Sequence, residues 1–197
     1  VAAPDETVTA RGRAREQVLH ATIELIGADG VAAVSNRRVA AAAGVSLGSL
    51  TYHFPDQSRL LHEALVLYAE EEIARYAETA ARLRAEGASP ESAVVEVQRA
   101  IAASAARRTA QIAELELHLH ASRNPELQDA SRRCFDAYDD FAAAVLEALG
   151  LPDPERNAKV VVALIAGLGL RRLGTGEEDL DTPARALEAI LRGVQGG

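Results

Sequence analysis

The stretch Ser35-Asn-Arg-Arg-Val-Ala-Ala-Ala-Ala-Gly-Val-Ser-Leu-Gly-Ser-Leu-Thr-Tyr-His-Phe54 decides how this chain folds. Ser35 stands where a helix N-cap accepts the free amides of a first turn. Val39, Ala40 and Ala43 then share one helical face, at i, i+1 and i+4. Gly44 is the residue able to take positive φ and end that helix. Ser46 offers a second N-cap, and Leu50 and Phe54, one turn apart, point the next helix back at the first. The residues left outward on it are Gly48, Ser49, Thr51, Tyr52 and His53, small or polar with one phenol ring among them. A helix with such an outer face, held by a partner helix across a tight turn, is what the major groove of duplex DNA admits. The spacing predicts a helix-turn-helix.

The rest of the composition agrees with helix. Among 197 residues there are 41 alanines, and 20 arginines stand against one lysine. Ala, Leu, Arg and Glu are the strong helix formers, and aromatic residues make up only 4%. The length suits one large domain or two small ones. No run of eighteen apolar residues occurs and no basic-then-apolar leader opens the sequence, so the expected location is the cytoplasm. A single cysteine, Cys134, excludes an internal disulfide and any multi-cysteine metal site.

The formal charge of −8 is unevenly placed. Residues 1–60 carry six arginines and six acids, so the whole excess lies in residues 61–197, with 15 bases against 23 acids. Within 35–60 three arginines face one Asp. A modestly positive head on an acidic body is compatible with DNA binding, because the local field governs the encounter. It implies weak non-specific affinity and marked salt dependence.

Outward from the central stretch, residues 1–9 lack periodicity and read as a flexible arm. Arg11, Arg13 and Arg15 alternate ahead of the first helix, either as a solvated basic tail or as a minor-groove contact. That helix carries Val18, Ala21, Thr22 and Leu25 and ends at Gly30. Pro55-Asp56 opens a long helix with Leu61, Ala64, Leu65 and Tyr68 as its buried stripe, running towards Gly87. Ser89-Pro90, Asn124-Pro125, Asp153-Pro154 and Thr182-Pro183 each place a capping residue before a proline at a first helical position. They predict helices near 90–107, 125–149, 154–173 and 183–194, with a short one near 109–121 and stops at Gly150 and Gly174. The total is about nine helices and no strand. Glu114–His120 alternates as a strand would, but a lone strand has no partner, so it is assigned to helix. The expected division is a helix-turn-helix domain over 1–55 and a helical body over 56–197.

With these residues in place, Arg15–Leu61 resembles the DNA-binding region of the TetR family of transcriptional regulators. The resemblance rests on a basic start, an Ile/Leu-rich first helix closed by Gly30, then Val39-Ala40-x-x-Ala43-Gly44-Val45-Ser46, Gly48, Leu50 and Tyr52-His53-Phe54. It covers about a quarter of the chain; the remainder matches in all-helical architecture only. It implies base-facing positions at Arg37, Leu47, Gly48, Ser49 and Thr51, and phosphate-facing ones at Asn36, Ser46, Tyr52 and His53. Where the family generally has lysine at the start of the fourth helix, this chain has Gln57, which can donate to a phosphate but lacks the charge. Arg59 is a possible substitute. Phe54 is assigned to the core, and Tyr52 to core and phosphate alike. The resemblance further implies a double-stranded operator, a small-molecule inducer and a homodimer built from the last two helices of each subunit. The inducer cavity would lie between the 125–149 helix and those near 60–87 and 90–121, with Tyr68, Gln98, His118, Cys134 and Tyr138 as candidate lining. Low aromatic content and the absence of Trp argue against a large aromatic pocket.

Val160–Leu170 is apolar all round and too short to span a bilayer. Such a helix needs burial on every side, as a subunit interface with Gly167 and Gly169 allowing close approach, or as a central core helix. Gly167-Leu-Gly169 lacks the strand and third glycine of a dinucleotide loop, and Gly44–Gly48 lacks the ending of a phosphate loop. His118 and His120 lie two apart and point to different sides of a helix, so they cannot share a metal ion. Each also has a Glu one turn earlier (Glu114 and Glu116), as in simple surface pairs. Cys134, Tyr138, Phe141 and Val145 form the inner stripe of the 125–149 helix. No nucleophile–base arrangement is present, so an enzyme is not expected, and no cofactor or metal is implied. A helical adaptor would use the 160–170 face but would leave the helix-turn-helix unexplained.

Overall fold

A computed structural model describes residues 6–85, 90–177, 182 and 185. Every regular element among them is helical. The order is α1 (Glu6–Asp29), α2 (Asn36–Ala43), α3 (Leu47–His53), α4 (Gln57–Ala85), α5 (Pro90–Ala106), α6 (Arg108–Arg123), α7 (Gln128–Ala148) and α8 (Pro154–Thr175). Two 3-10 turns, Val31–Ala33 and Pro125–Leu127, precede α2 and α7. The ambiguous 114–120 stretch lies inside α6, and the 183–194 helix falls outside the described residues.

Several boundaries differ from expectation. Helix α1 begins at Glu6, so residues 6–9 are helical and Arg11, Arg13 and Arg15 lie on the helix. Its buried stripe is Val18, Leu19, Thr22 and Ile26, rotated from the predicted one; Ala21 and Leu25 are half-buried. Thr22 is tolerated at the core because its hydroxyl donates to the Val18 carbonyl at 2.8 Å. Pro125 opens a 3-10 turn rather than an α-helix, since Asn124 makes no cap bond and its Nδ2 donates back to the His120 carbonyl at 2.7 Å. Asp153 takes a left-handed φ of 48° and caps nothing; Asn157 Nδ2 ties that turn instead, at 2.8 Å from the Pro152 carbonyl. Gly174 continues α8, which stops at Gly176 with φ 71°.

The chain forms two compact units: Val1–Ala69 with Thr109–Ser131, and Glu70–Arg108 with Arg132–Gly197. Helix α4 runs uninterrupted from the first into the second. In the first unit α1 packs on α2 and α3, and the core comprises Leu19, Ile26, Val39, Leu50, Phe54 and the predicted α4 residues Leu61, Ala64, Leu65 and Tyr68. The last turn of α1 meets the first residues of α6 so closely that a Cβ on Gly27 would run into the Thr109 carbonyl. Gly27→Ala is therefore expected to destabilise by about 1–3 kcal/mol, as overpacking does, lowering Tm by about 3–10 °C in a thermal melt.

In the second unit, α4, α5 and α7 meet at Ala80, Leu83, Val97, Ala144 and Val145. Helix α8 lays Ala158, Val161 and Val162 on α7 residues Ala142, Ala143 and Leu146. Arg84 joins α4 to α7 through Asp140 at 3.0 Å and Glu147 at 3.0 Å. The Asp140 bond first, and Glu147 after it, raise the Arg84 pKa above its ordinary value against the cost of burial. Glu72, buried on α4, holds Arg75 at 2.6 Å and Arg107 at 3.2 Å. Arg107 is the single non-helical residue between α5 and α6.

Candidate nucleic-acid interface

The two caps expected of Ser35 and Ser46 are present. Ser35 Oγ accepts from the Arg38 amide at 3.4 Å, and Ser46 Oγ accepts from the Ser49 amide at 3.1 Å. Gly44 closes α2 in the left-handed region with φ 67°. A side chain there would be strained, which is why the turn takes glycine. Leu50 and Phe54 are wholly buried, so one face of α3 is fixed and the opposite face must be outward.

That outer face presents Leu47, 49% exposed, with Gly48 and Thr51 exposed beside it. Ser49 and His53 are half-buried. Tyr52 is 75% exposed and stands edge-on to the His53 ring at 5.3 Å, so it has no part in the core. Thr51 Oγ1 already donates to the carbonyls of Leu47 at 3.0 Å and Gly48 at 3.2 Å. Its one hydrogen is used, and its lone pairs stay able to accept.

No arginine or lysine lies on α3 itself. The four nearest described arginines divide sharply. Arg15 is ion-paired to Glu63 and lies over the Phe54 ring, 5.9 Å from its centroid. Arg59 binds the same carboxylate at 2.8 Å, one turn along α4. Arg38 reaches back to Asp29 and to the Ala33 carbonyl. Arg37, on the first turn of α2, is exposed and has no hydrogen-bond or ion-pair partner among the described residues. Asn36 is half-buried beside it. Gln57 is engaged: its Nε2 donates to the Val34 carbonyl at 2.9 Å. The bracing roles of Arg38 and Glu63 escaped sequence reading, because neighbouring arginines look alike until the fold gives one of them a carboxylate.

The candidate ligand residues are distributed over both units. In the first, Tyr68 is buried, and His118 is half-buried with Nδ1 2.7 Å from Ser131 Oγ and Nε2 3.8 Å from Glu114. His118 is thus not a simple surface pair. In the second, Gln98 is exposed on α5, and the buried Cys134 donates to the Tyr138 hydroxyl at 3.1 Å. Tyr138 is the hub of a ring cluster: Tyr76 lies edge-on at 5.0 Å and Phe135 at 6.0 Å, while Phe141 lies 5.2 Å from Tyr76. Four of the seven aromatic residues gather here. Tyr76, Phe135 and Phe141 are not among the sequence-predicted ligand residues; Phe135 and Phe141 flank Tyr138 at helical spacing on α7, and packing brings Tyr76 of α4 to them. No cluster able to hold a metal occurs among the described residues, and no helix there is long and apolar enough to cross a membrane.

A capped helix-turn-helix with an exposed, polar α3 and, at its edge, an arginine without a partner among the described residues, followed by a helical body, defines a DNA-binding regulator. Comparison with known families is consistent with both parts. Residues 18–64 match the bacterial regulatory proteins of the tetR family, and residues 88–197 match the tetracyclin repressor-like C-terminal domain. The chain belongs to the TetR family of DNA-binding transcriptional regulators. It is 30% identical to a proposed transcriptional regulator of Streptomyces coelicolor A3(2), over 92% of this chain and 98% of that one, with a TM-score of 0.67. A proposed TetR-family regulator from Rhodococcus sp. is 28% identical over 91% and 97%, also with a TM-score of 0.67. The multidrug binding protein EbrR, solved with imidazole, is 31% identical over 90% and 89%, with a TM-score of 0.63. No curated protein sequence matches the chain.

Proposed function

We propose that the protein is a cytoplasmic, homodimeric repressor that leaves a palindromic operator when a small molecule binds its helical body. The observation that carries the DNA half is the outward face of α3 with Arg37 beside it. Residues 1–55 serve as the reading head, with Arg37, Leu47, Gly48, Ser49 and Thr51 towards bases. Asn36, Ser46, Tyr52 and His53 lie towards phosphates. Residues 56–197 hold the ligand and the partner subunit.

The dimer reading is supported by α8. Val160, Ala163, Gly167, Leu170 and Gly174 recur at helical spacing and are all exposed in the single chain, Val160 and Leu170 at 56% each. A Cβ on Gly167 would meet nothing within 4 Å, leaving room for a second backbone to approach. Two reading heads held about 34–36 Å apart enter successive major grooves. A ligand that favours another spacing lowers DNA affinity by its differential binding energy. Helix α4 is the natural lever, because it belongs to both units.

The ligand reading is supported by the rings around Tyr138 and by EbrR, a multidrug binding protein also solved with proflavin and with ethidium. Of the residues proposed from sequence, Cys134 and Tyr138 belong to this cluster, and Tyr68, Gln98 and His118 remain candidates. Proflavin fluorescence is expected to quench on titration with the protein. Tyr138→Ala should weaken that binding by about 1–2 kcal/mol, the scale of a desolvated cation–π contact. A mobility shift of the operator should be reversed by the same dye. If no small molecule changes operator affinity, the inducible reading fails and a constitutive or co-repressor-dependent regulator stands in its place.

A further inference from the structure

The position where the family generally carries a phosphate-binding lysine is occupied here by a residue turned to a different task. Gln57 is the first residue of α4, and its Nε2 donates to the Val34 carbonyl at 2.9 Å. Arg38 Nη1 donates to the preceding carbonyl, that of Ala33, at 3.1 Å. The two carbonyls lie between the 3-10 turn and the N-cap Ser35, and neither takes a backbone donor among the described residues. Unmet, they would cost desolvation energy or let the segment rotate. Ser35 in turn holds the first turn of α2, through the Arg38 amide and through its own carbonyl to the Val39 amide at 2.9 Å. Val34 is buried, and the bond its carbonyl accepts from the exposed Gln57 is partly shielded from water.

We infer that Gln57 is a positioning residue for operator recognition: it ties the start of α4 to the segment that sets the orientation of α2, and so places Arg37. A displacement of the α4 N-terminus pulls on the Val34 carbonyl, and through Ser35 it reaches the turn that bears Arg37. Arg38, anchored to Asp29, holds the other end of the same segment to α1. The carboxamide is required as a donor to the protein, and its neutrality is no defect at this position.

Two substitutions test this on full-length protein. The probes are a high-affinity duplex selected from a random-sequence pool by the wild type, and poly(dI-dC) as non-specific DNA. Gln57→Met keeps length and helix propensity but removes the donor. Affinity for the selected duplex is expected to fall about tenfold, with affinity for poly(dI-dC) unchanged. In the DNA-free protein, the amides of Arg38 and Val39 should exchange with deuterium faster, while α4 amides beyond its first turn keep their rates. Gln57→Lys restores a donor, and should restore the ratio of specific to non-specific affinity at an unchanged salt slope. Equal weakening on both DNAs by Gln57→Met, with exchange unaltered, would show a phosphate contact and overturn the inference. So would a salt slope for Gln57→Lys steeper by about 0.9 per subunit. No change in affinity or exchange with Gln57→Met would also overturn it.

Discussion

Leu170→Glu is expected to give a folded chain that sediments as a monomer at micromolar concentration and binds its operator about 10²–10⁴-fold more weakly. Leu170 is 56% exposed in the single chain, so a carboxylate there meets water and costs the subunit fold little. In a dimer it would be placed against an apolar partner face, where an unpaired charge is costly. The loss on DNA follows from geometry. A single head engages one half-site, and the second half-site is reached only when a partner holds a second head at high effective concentration. Gly167→Leu tests the same face without charge, since it fills the space a second backbone would occupy. A wild-type chain that sediments as a monomer under these conditions would remove the dimer from the mechanism.

The second large effect is at Arg37. Arg37→Ala should cost about 1–3 kcal/mol per subunit and relax sequence preference, and the two copies, far apart in a dimer, should add to about 2–6 kcal/mol. Its neighbour provides the control. Arg38→Ala removes a strut to Asp29 and the Ala33 carbonyl, so its effect should come with faster amide exchange in α2. The effect of Arg37→Ala should come without it. Operator titration of both variants at one fixed salt concentration, paired with hydrogen exchange on the free proteins, separates contact from support. Unchanged affinity for Arg37→Ala would take that residue out of the interface.

Together these residues describe a reading head with little charge to spare. Of the arginines around α3, Arg15 and Arg59 share the one carboxylate of Glu63, and Arg38 pairs with Asp29. Most of these cations are already held in ion pairs within the head. On the proposed dimer, affinity would depend on two heads held at the correct separation, and the α8 face would matter to recognition as much as Arg37.

The helix-turn-helix was legible in sequence because its determinants are local. Ser35, Gly44 and Ser46 act on amides and torsions within a few residues of themselves, and Leu50 and Phe54 can face only one way on a short helix. The all-helical body was legible for the same reason, through composition and periodicity. Local signals failed where a side chain had two uses. Asn124 and Asp153 look like caps, but one bonds backwards to His120 and the other takes a left-handed turn. Periodicity placed the α1 stripe a fraction of a turn away from where α2 and α3 pack. The class of fold, the capped turn and the outward Gly48, Thr51 and Tyr52 of α3 thus followed from local sequence, while Ser49 and His53 are half-buried. The folded chain shows which arginines around α3 are braces and which has no partner among the described residues, that Gln57 faces a carbonyl, and that Tyr76 of α4 joins Phe135, Tyr138 and Phe141 of α7 in one ring cluster. The Arg15–Glu63, Gln57–Val34 and Tyr76–Tyr138 contacts join residues distant in the chain, and contacts of that kind have no local period or cap to announce them.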